Sequence, residues 1–276
     1  LDHVFIRSKE AEKVVEKRLL SENLRLRFYG YLNASYTQNF NNPSNDINEL
    51  RIFDVGSNQP RFNLAQFTIQ RDAEVGDKWL DRVGFKVKFN AGQDSPLVGG
   101  KDLGPWTDFQ EYYIQYRAPV GSGLDVKLGQ INGLVGYEVI ESPYNGNYSR
   151  SWLFGLGQPF TTRGGRASYN FNDRLSLSVG VIGSINSARG NKSHDPMVES
   201  ALKLAMSDRA SVTLYALAGS RPGAPGTNGG MLILTGGYVG VQMTDHMSAV
   251  VESYYANQAN SSMISPAGNA RWNGVA

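Results

Sequence analysis

Three histidines, at positions 3, 194 and 246, are the only imidazoles available for metal binding or general-base chemistry in this chain of 276 residues. None stands in a metal-ligand spacing such as His-x-His. With no cysteine in the sequence, thiolate nucleophiles, cysteine-ligated zinc and iron–sulfur clusters are excluded. His3, His194 and His246 fall in a terminal tail, a long loop and a turn. A Ser-His pair assembled across strands therefore has little to build on. No Walker loop or EF-hand is present, and Gly121 to Gly123 reads as a turn, not a phosphate cradle. The expectation is a protein with no catalytic residue, no metal and no cofactor.

The charges that remain fall in a repeated pattern. Arg25, Arg27, Arg82, Lys86, Lys88, Arg117, Lys127, Arg166 and Lys203 all occupy the polar face of alternating segments, where the acids are mainly Asp125 and Glu199. Such an excess of base along a water-filled wall produces a positive field that favours anions and weakens with salt. The alternative reading is a set of solvated side chains paired with carboxylates from the loops. Overall charge is nearly balanced, 27 Lys plus Arg against 25 Asp plus Glu, which gives no sign of a nucleic-acid partner.

Those faces are set by a period of two. Leu24, Leu26, Phe28, Leu32, Ala34 and Tyr36 alternate with Arg25, Arg27, Asn33, Ser35 and Thr37. Val83, Phe85, Val87, Phe89 and Ala91 alternate with Arg82, Lys86, Lys88 and Asn90, and the same pattern recurs through Tyr112 to Ala118, Leu124 to Leu128 and Leu175 to Val181. Later strands cover Met197 to Met206, Val212 to Ala218, Met231 to Met243 and Ser248 to Asn257. Phase breaks between Phe62-Leu64 and Phe67-Ile69, which predicts a β-bulge. Ser248 to Asn257 shows no clean alternation.

The connections alternate between short and long. Short ones lie near Glu74 to Lys78, Pro119 to Gly123, Asn172 to Arg174, Ser207 to Ala210 and Thr244 to Met247, and four carry an Asp followed by a basic residue. Long ones lie near Asn39 to Pro60, Asp94 to Trp106, Ile131 to Phe160, Ser187 to Pro196, Gly219 to Gly230 and Asn257 to Ala270. Short turns at one rim, long loops at the other and strands of about ten residues are the signature of a transmembrane β-barrel. In lipid every backbone polar group must be satisfied within the protein, so a sheet there has to close. No apolar run approaches the length of a membrane helix. The fold expected is all-β, an up-and-down antiparallel barrel of at least 12 strands over residues 23–276. Further strands are expected beyond Ala276, because the next short turn is due near residue 281 and Arg271 opens what reads as a partial strand.

Residues 1–22 read as an amphipathic helix and linker, with Ser8 as N-cap and Ala11, Val14, Val15 and Leu19 on one stripe. Its charged residues pair at helical spacing. It starts at the short-turn rim, on the periplasmic side or inside the lumen, either solvated, plugging the pore or meeting a partner.

The connection Ile131 to Phe160 far exceeds ordinary hairpin loops. Folded inward, it forms a constriction that brings Tyr137, Glu138, Glu141, Tyr148 and Arg150 into the path of solutes, acids opposite basic walls. Folded outward, it is an extracellular lid. Trp79, Tyr116, Tyr169 and Phe171 near the short-turn rim fit an aromatic girdle.

The segment Leu124 to Phe171 resembles the OmpL-like family of outer-membrane β-barrel porins. The words that carry the resemblance are Lys127-Leu128-Gly129-Gln130, Gly136-Tyr137-Glu138-Val139-Ile140-Glu141, Asn147-Tyr148-Ser149-Arg150-Ser151, Leu153-Phe154 and Thr161-Thr162-Arg163-Gly164-Gly165-Arg166, with Gly30-Tyr31 in the opening strand. The resemblance implies architecture and location in the bacterial outer membrane, and it carries over no catalytic residue. The function expected is passive diffusion of small hydrophilic solutes or ions, with a weak anion preference. Its surroundings are outer-membrane lipid and lipopolysaccharide, and a homo-oligomer or a periplasmic protein partner is compatible with it. The competing function is a barrel that sheaths or anchors a partner protein.

Overall fold

The computed structural model describes residues 25–98, 103–185, 196–221, 230–260 and 268–276. The N-terminal helix expected within residues 1–22, together with His3 and His194, lies outside the described residues.

Twelve strands form one sheet in sequence order: β1 Leu26–Tyr36, β2 Pro60–Arg71, β3 Val83–Ala91, β4 Thr107–Ala118, β5 Leu124–Asn132, β6 Thr161–Asn170, β7 Leu175–Ile185, β8 Met197–Ser207, β9 Ala210–Arg221, β10 Gly230–Gln242, β11 Ser248–Gln258 and β12 Ala270–Val275. Every neighbouring pair is antiparallel. This is the all-β up-and-down meander that the alternation of short and long connections predicts. Among the described residues β1 and β12 are not paired with each other. Among the described residues the only α-helical turn, α1, is Ser95–Val98, and no helix among them is long and apolar enough to cross a membrane.

Strands β1 to β11 run from 9 to 13 residues. At about 3.3 Å per residue, a tilted strand of that length spans the ~25 Å apolar band of an outer-membrane barrel. Phe67, Ile114, Leu128, Val181, Leu214 and Val251 are exposed on the outward face. A continuous outward band of this kind is unfavourable in water and fits hydrocarbon. β2 does carry a bulge, a register shift opposite Asn33 and Ala34 with Asn63 as the extra residue, but it falls between Phe62 and Leu64 and not after them, so Phe62 is exposed and Leu64 buried. A second shift lies between Lys88 and Phe89 of β3, opposite Glu111 and Phe109.

The inward face divides into two halves. On β2 to β4 it is polar, with Gln66, Thr68, Gln70, Lys88, Asn90, Asp108 and Glu111 buried. Around β7 to β11 it is largely apolar: Ile182, Met197, Tyr215, Leu217, Leu232, Leu234, Tyr254 and Ala256 form one buried cluster with Val135 from the connection between β5 and β6. The weak alternation of Ser248 to Asn257 has its cause here, because on β11 the inward residues are Glu252, Tyr254, Ala256 and Gln258. Aromatic and small side chains on that face blur a polar-in pattern. A second cluster, Phe53, Val98, Ile140, Phe154 and Phe160, is built mainly from connections. It ties the β1–β2 connection, α1 and the β5–β6 connection into one packed cap, with Phe154 and Phe160 stacked at 4.9 Å.

Candidate functional site

Alternation puts the wall bases inward, and most of them meet carboxylates. At the short-turn rim Arg25 pairs with Glu74 and with Asp81, the latter at 2.7 Å, and Arg27 pairs with Asp72. Lys86 lies 3.1 Å and Lys88 2.7 Å from Glu111 across the β3–β4 ladder. Arg166 binds Glu199 through Nε at 2.9 Å and Nη2 at 2.7 Å. Arg82 and Arg117 donate instead to carbonyls, of Arg117 at 3.5 Å and Ser122 at 3.2 Å. Lys127 stands 5.0 Å over the ring of Tyr113. Lys203 is on the inward row of β8, in register with Ser176 and Thr213.

Three inward acids stand outside the set expected from the sequence, Asp108 of β4 among them. Glu111 sits beside a bulge that shifts the phase of β4, and Glu252 sits in the strand whose alternation is blurred. They join Asp125 and Glu199, so this face is far closer to electrical balance than nine bases against two acids implied. The signal for Glu111 was available: it shares the odd-numbered row of Tyr113, Gln115 and Arg117.

The connection of residues 133–160 touches the inward face on both halves of the sheet. On the polar half, Glu141 pairs with Lys88 and accepts from Gln110 Nε2 at 2.8 Å; their side chains are only 6% and 4% exposed. Burial alone would push the Glu141 carboxyl up, but the charge of Lys88 and its hydrogen bond hold it below the usual carboxylate value. Alongside, Ser142 Oγ accepts from Asn33 at 3.0 Å, and the hydroxyl of Tyr148 meets the amide of Asn63. On the other half, Glu252 accepts from the Tyr137 N–H at 3.3 Å, from Gln158 Nε2 at 3.1 Å and from the Tyr215 hydroxyl at 2.5 Å. The Tyr137 ring packs edge-on against Tyr238 at 5.4 Å.

Between these attachments the connection supports itself. Glu138 accepts from the Ser151 N–H at 2.9 Å and from its hydroxyl. Arg150 donates to the carbonyl of Ile140 and lies 4.2 Å over the ring of Phe53. Burial holds its guanidinium below the usual value. Of the expected constriction residues, Glu141, Tyr148 and Tyr137 thus reach the walls, whereas Glu138 and Arg150 brace the connection internally.

Among the described residues no group of three or more His, Asp or Glu is placed to hold a metal ion. A family model described as "Putative beta-barrel porin-2, OmpL-like" matches residues 25–276. No curated protein matches the chain.

Proposed function

The chain belongs to the OmpL-like β-barrel porin family, and from that membership we propose that it forms a passive pore in the bacterial outer membrane for small hydrophilic solutes and ions. One observation carries the reading: the 133–160 connection is fastened to the inward face on both halves of the sheet, through Lys88–Glu141 and through Glu252. A long loop seated that way narrows a lumen and does not merely roof it. Tyr137 and Tyr148 then present to solutes at the constriction, while Glu141, buried against Lys88, together with Glu138 and Arg150 holds its shape. Transport, not catalysis, is the activity.

Selectivity in this reading is by size first. Because Arg25, Arg27, Lys86, Lys88 and Arg166 each have a carboxylate partner, only a weak anion preference is left, and Arg82, Arg117 and Lys127 supply it. Planar-bilayer recording of the purified protein in a KCl gradient tests this. Stepwise conductance with a small anion-favouring reversal potential is the expected result. A correctly folded barrel that never conducts would overturn it and leave the chain as a sheath or anchor for a partner protein.

A further inference from the structure

We infer that Glu141 couples the seating of the constricting connection to the ionic selectivity of the pore, an inference that rests on the porin reading above. The buried cluster on the polar wall holds Lys86, Lys88, Glu111 and Glu141. Lys86 and Lys88 belong to β3 and Glu111 to β4, so these three stay with the wall. Glu141 alone belongs to the connection. With it seated, two ammonium groups face two carboxylates. With it withdrawn, two ammonium groups face one, and the wall turns basic at the point where the passage has just widened.

The other attachment does not work this way. There the hydrogen bonds from the connection come from the neutral Tyr137 N–H and the Gln158 amide, and Glu138, which stands near Glu252, is bonded to Ser151 within the connection, while the accepting acid, Glu252, stays on β11 with Tyr215 still bonded to it. Movement of the limb that carries Glu141 is therefore the one that takes a carboxylate away from paired wall lysines. Its remaining holds on the wall, Ser142 to Asn33 and Tyr148 to Asn63, are neutral hydrogen bonds. A wide state is then an anion-favouring state, and a narrow state a balanced one.

The experiment compares the wild type with Glu141→Gln and with the double variant Lys86→Gln/Glu141→Gln, each checked for folding by its β-sheet circular dichroism. The chain has no cysteine, so Ser142→Cys, introduced into all three, reports seating through its rate of reaction with a water-soluble thiol reagent. In E141Q, labelling is expected to accelerate by at least about tenfold, as loss of one partner of a buried ion pair implies. Conductance should rise, and the reversal potential should move toward anions. In the double variant, Lys88 and Glu111 remain as a matched pair, so conductance stays high while the reversal potential returns to the wild-type value. Faster labelling and higher conductance with an unchanged reversal potential in E141Q would overturn the coupling, as would unchanged labelling. Absence of conductance in every variant would remove the porin reading and the selectivity claim together, while the labelling would still decide whether Glu141 fastens the connection.

Discussion

Arg166 reaches Glu199 across an intervening strand. Gly180 of β7 stands in register with both, and a Cβ there would meet Glu199 Oε1 at 2.7 Å and Cγ at 2.8 Å. The glycine is needed for space: its missing side chain is the channel through which a residue of β6 pairs with one of β8. Arg166 and Glu199 are both buried, so neither tolerates losing the other.

Gly180→Val should therefore split the pair and cost about 3 to 5 kcal/mol, the range for breaking a buried ion pair. Gly183→Val is the control, because a Cβ at Gly183 meets open space, and it should stay within about 0.5 kcal/mol of wild type. Urea unfolding in detergent micelles measures both. Equal losses in the two variants would mean that Gly180 serves only the strand and not the pair.

Phe53→Ala should loosen the cap without unfolding the sheet. Phe53 packs on Phe154 at 5.9 Å and Phe160 at 5.8 Å and carries the guanidinium of Arg150. Burial lost at such a site is worth about 3 to 5 kcal/mol, here spent locally on the 133–160 connection. Limited proteolysis should cut that connection faster while the β-sheet circular dichroism stays unchanged. A protected connection would refute the shared-cap description.

Two acids of the connections, Asp94 and Glu141, should respond to pH in opposite directions. Asp94 is pushed up to about 7, because burial outweighs Arg61 at 3.8 Å and Arg150, with Asp54 adding to the rise. Its folded form binds the proton more tightly than an ordinary carboxyl of 3.8, so it favours the folded cap at low pH and loses that contribution as pH rises toward about 7. Glu141 is held low, so its contribution is present above the ordinary value of 4.5 and is lost only in stronger acid. Cap stability, read by proteolysis between pH 4 and 8, should decline toward pH 7 in the wild type and lose that decline in Asp94→Asn. A decline that persists in Asp94→Asn would assign it to another group.

Val181→Arg tests which face meets lipid. Val181 is exposed on the outward row near the middle of β7. A charge at mid-depth on the lipid face costs about 2 to 4 kcal/mol, measured by refolding into phospholipid vesicles. Ser178→Arg, on the inward row, should refold with a smaller loss, and a reversed order would reverse the assignment of faces.

The sheet was legible because period two and the alternation of short and long connections are local properties, visible in rows such as Val83 to Ala91. Less legible was anything governed by contact across the lumen. Leu232 and Leu234 point inward as Lys86 and Lys88 do, yet they are apolar because Val135 and Leu153 of a distant connection cover that half of the wall. No window of sequence contains that information. Glu111 keeps step with Tyr113, Gln115 and Arg117, but the bulge at Gln110 puts Asp108 on the opposite parity without a strong compositional mark. Glu141 stood out through the length of its connection, but its partner Lys88 lies 53 positions away and could be named only as one base among nine.

The double fastening of the 133–160 connection also constrains the order in which the chain takes shape. Its first anchor, Lys88, precedes it in the chain, but Glu252 follows Tyr137 by 115 positions and Gln158 by 94. Contacts of such separation form late, because the intervening chain must first be ordered. The attachment to Glu252 therefore cannot close before β11 is in place. In the pore proposed above, the segment that narrows the passage would then be the last to find its place, with the strands in register before the passage is restricted.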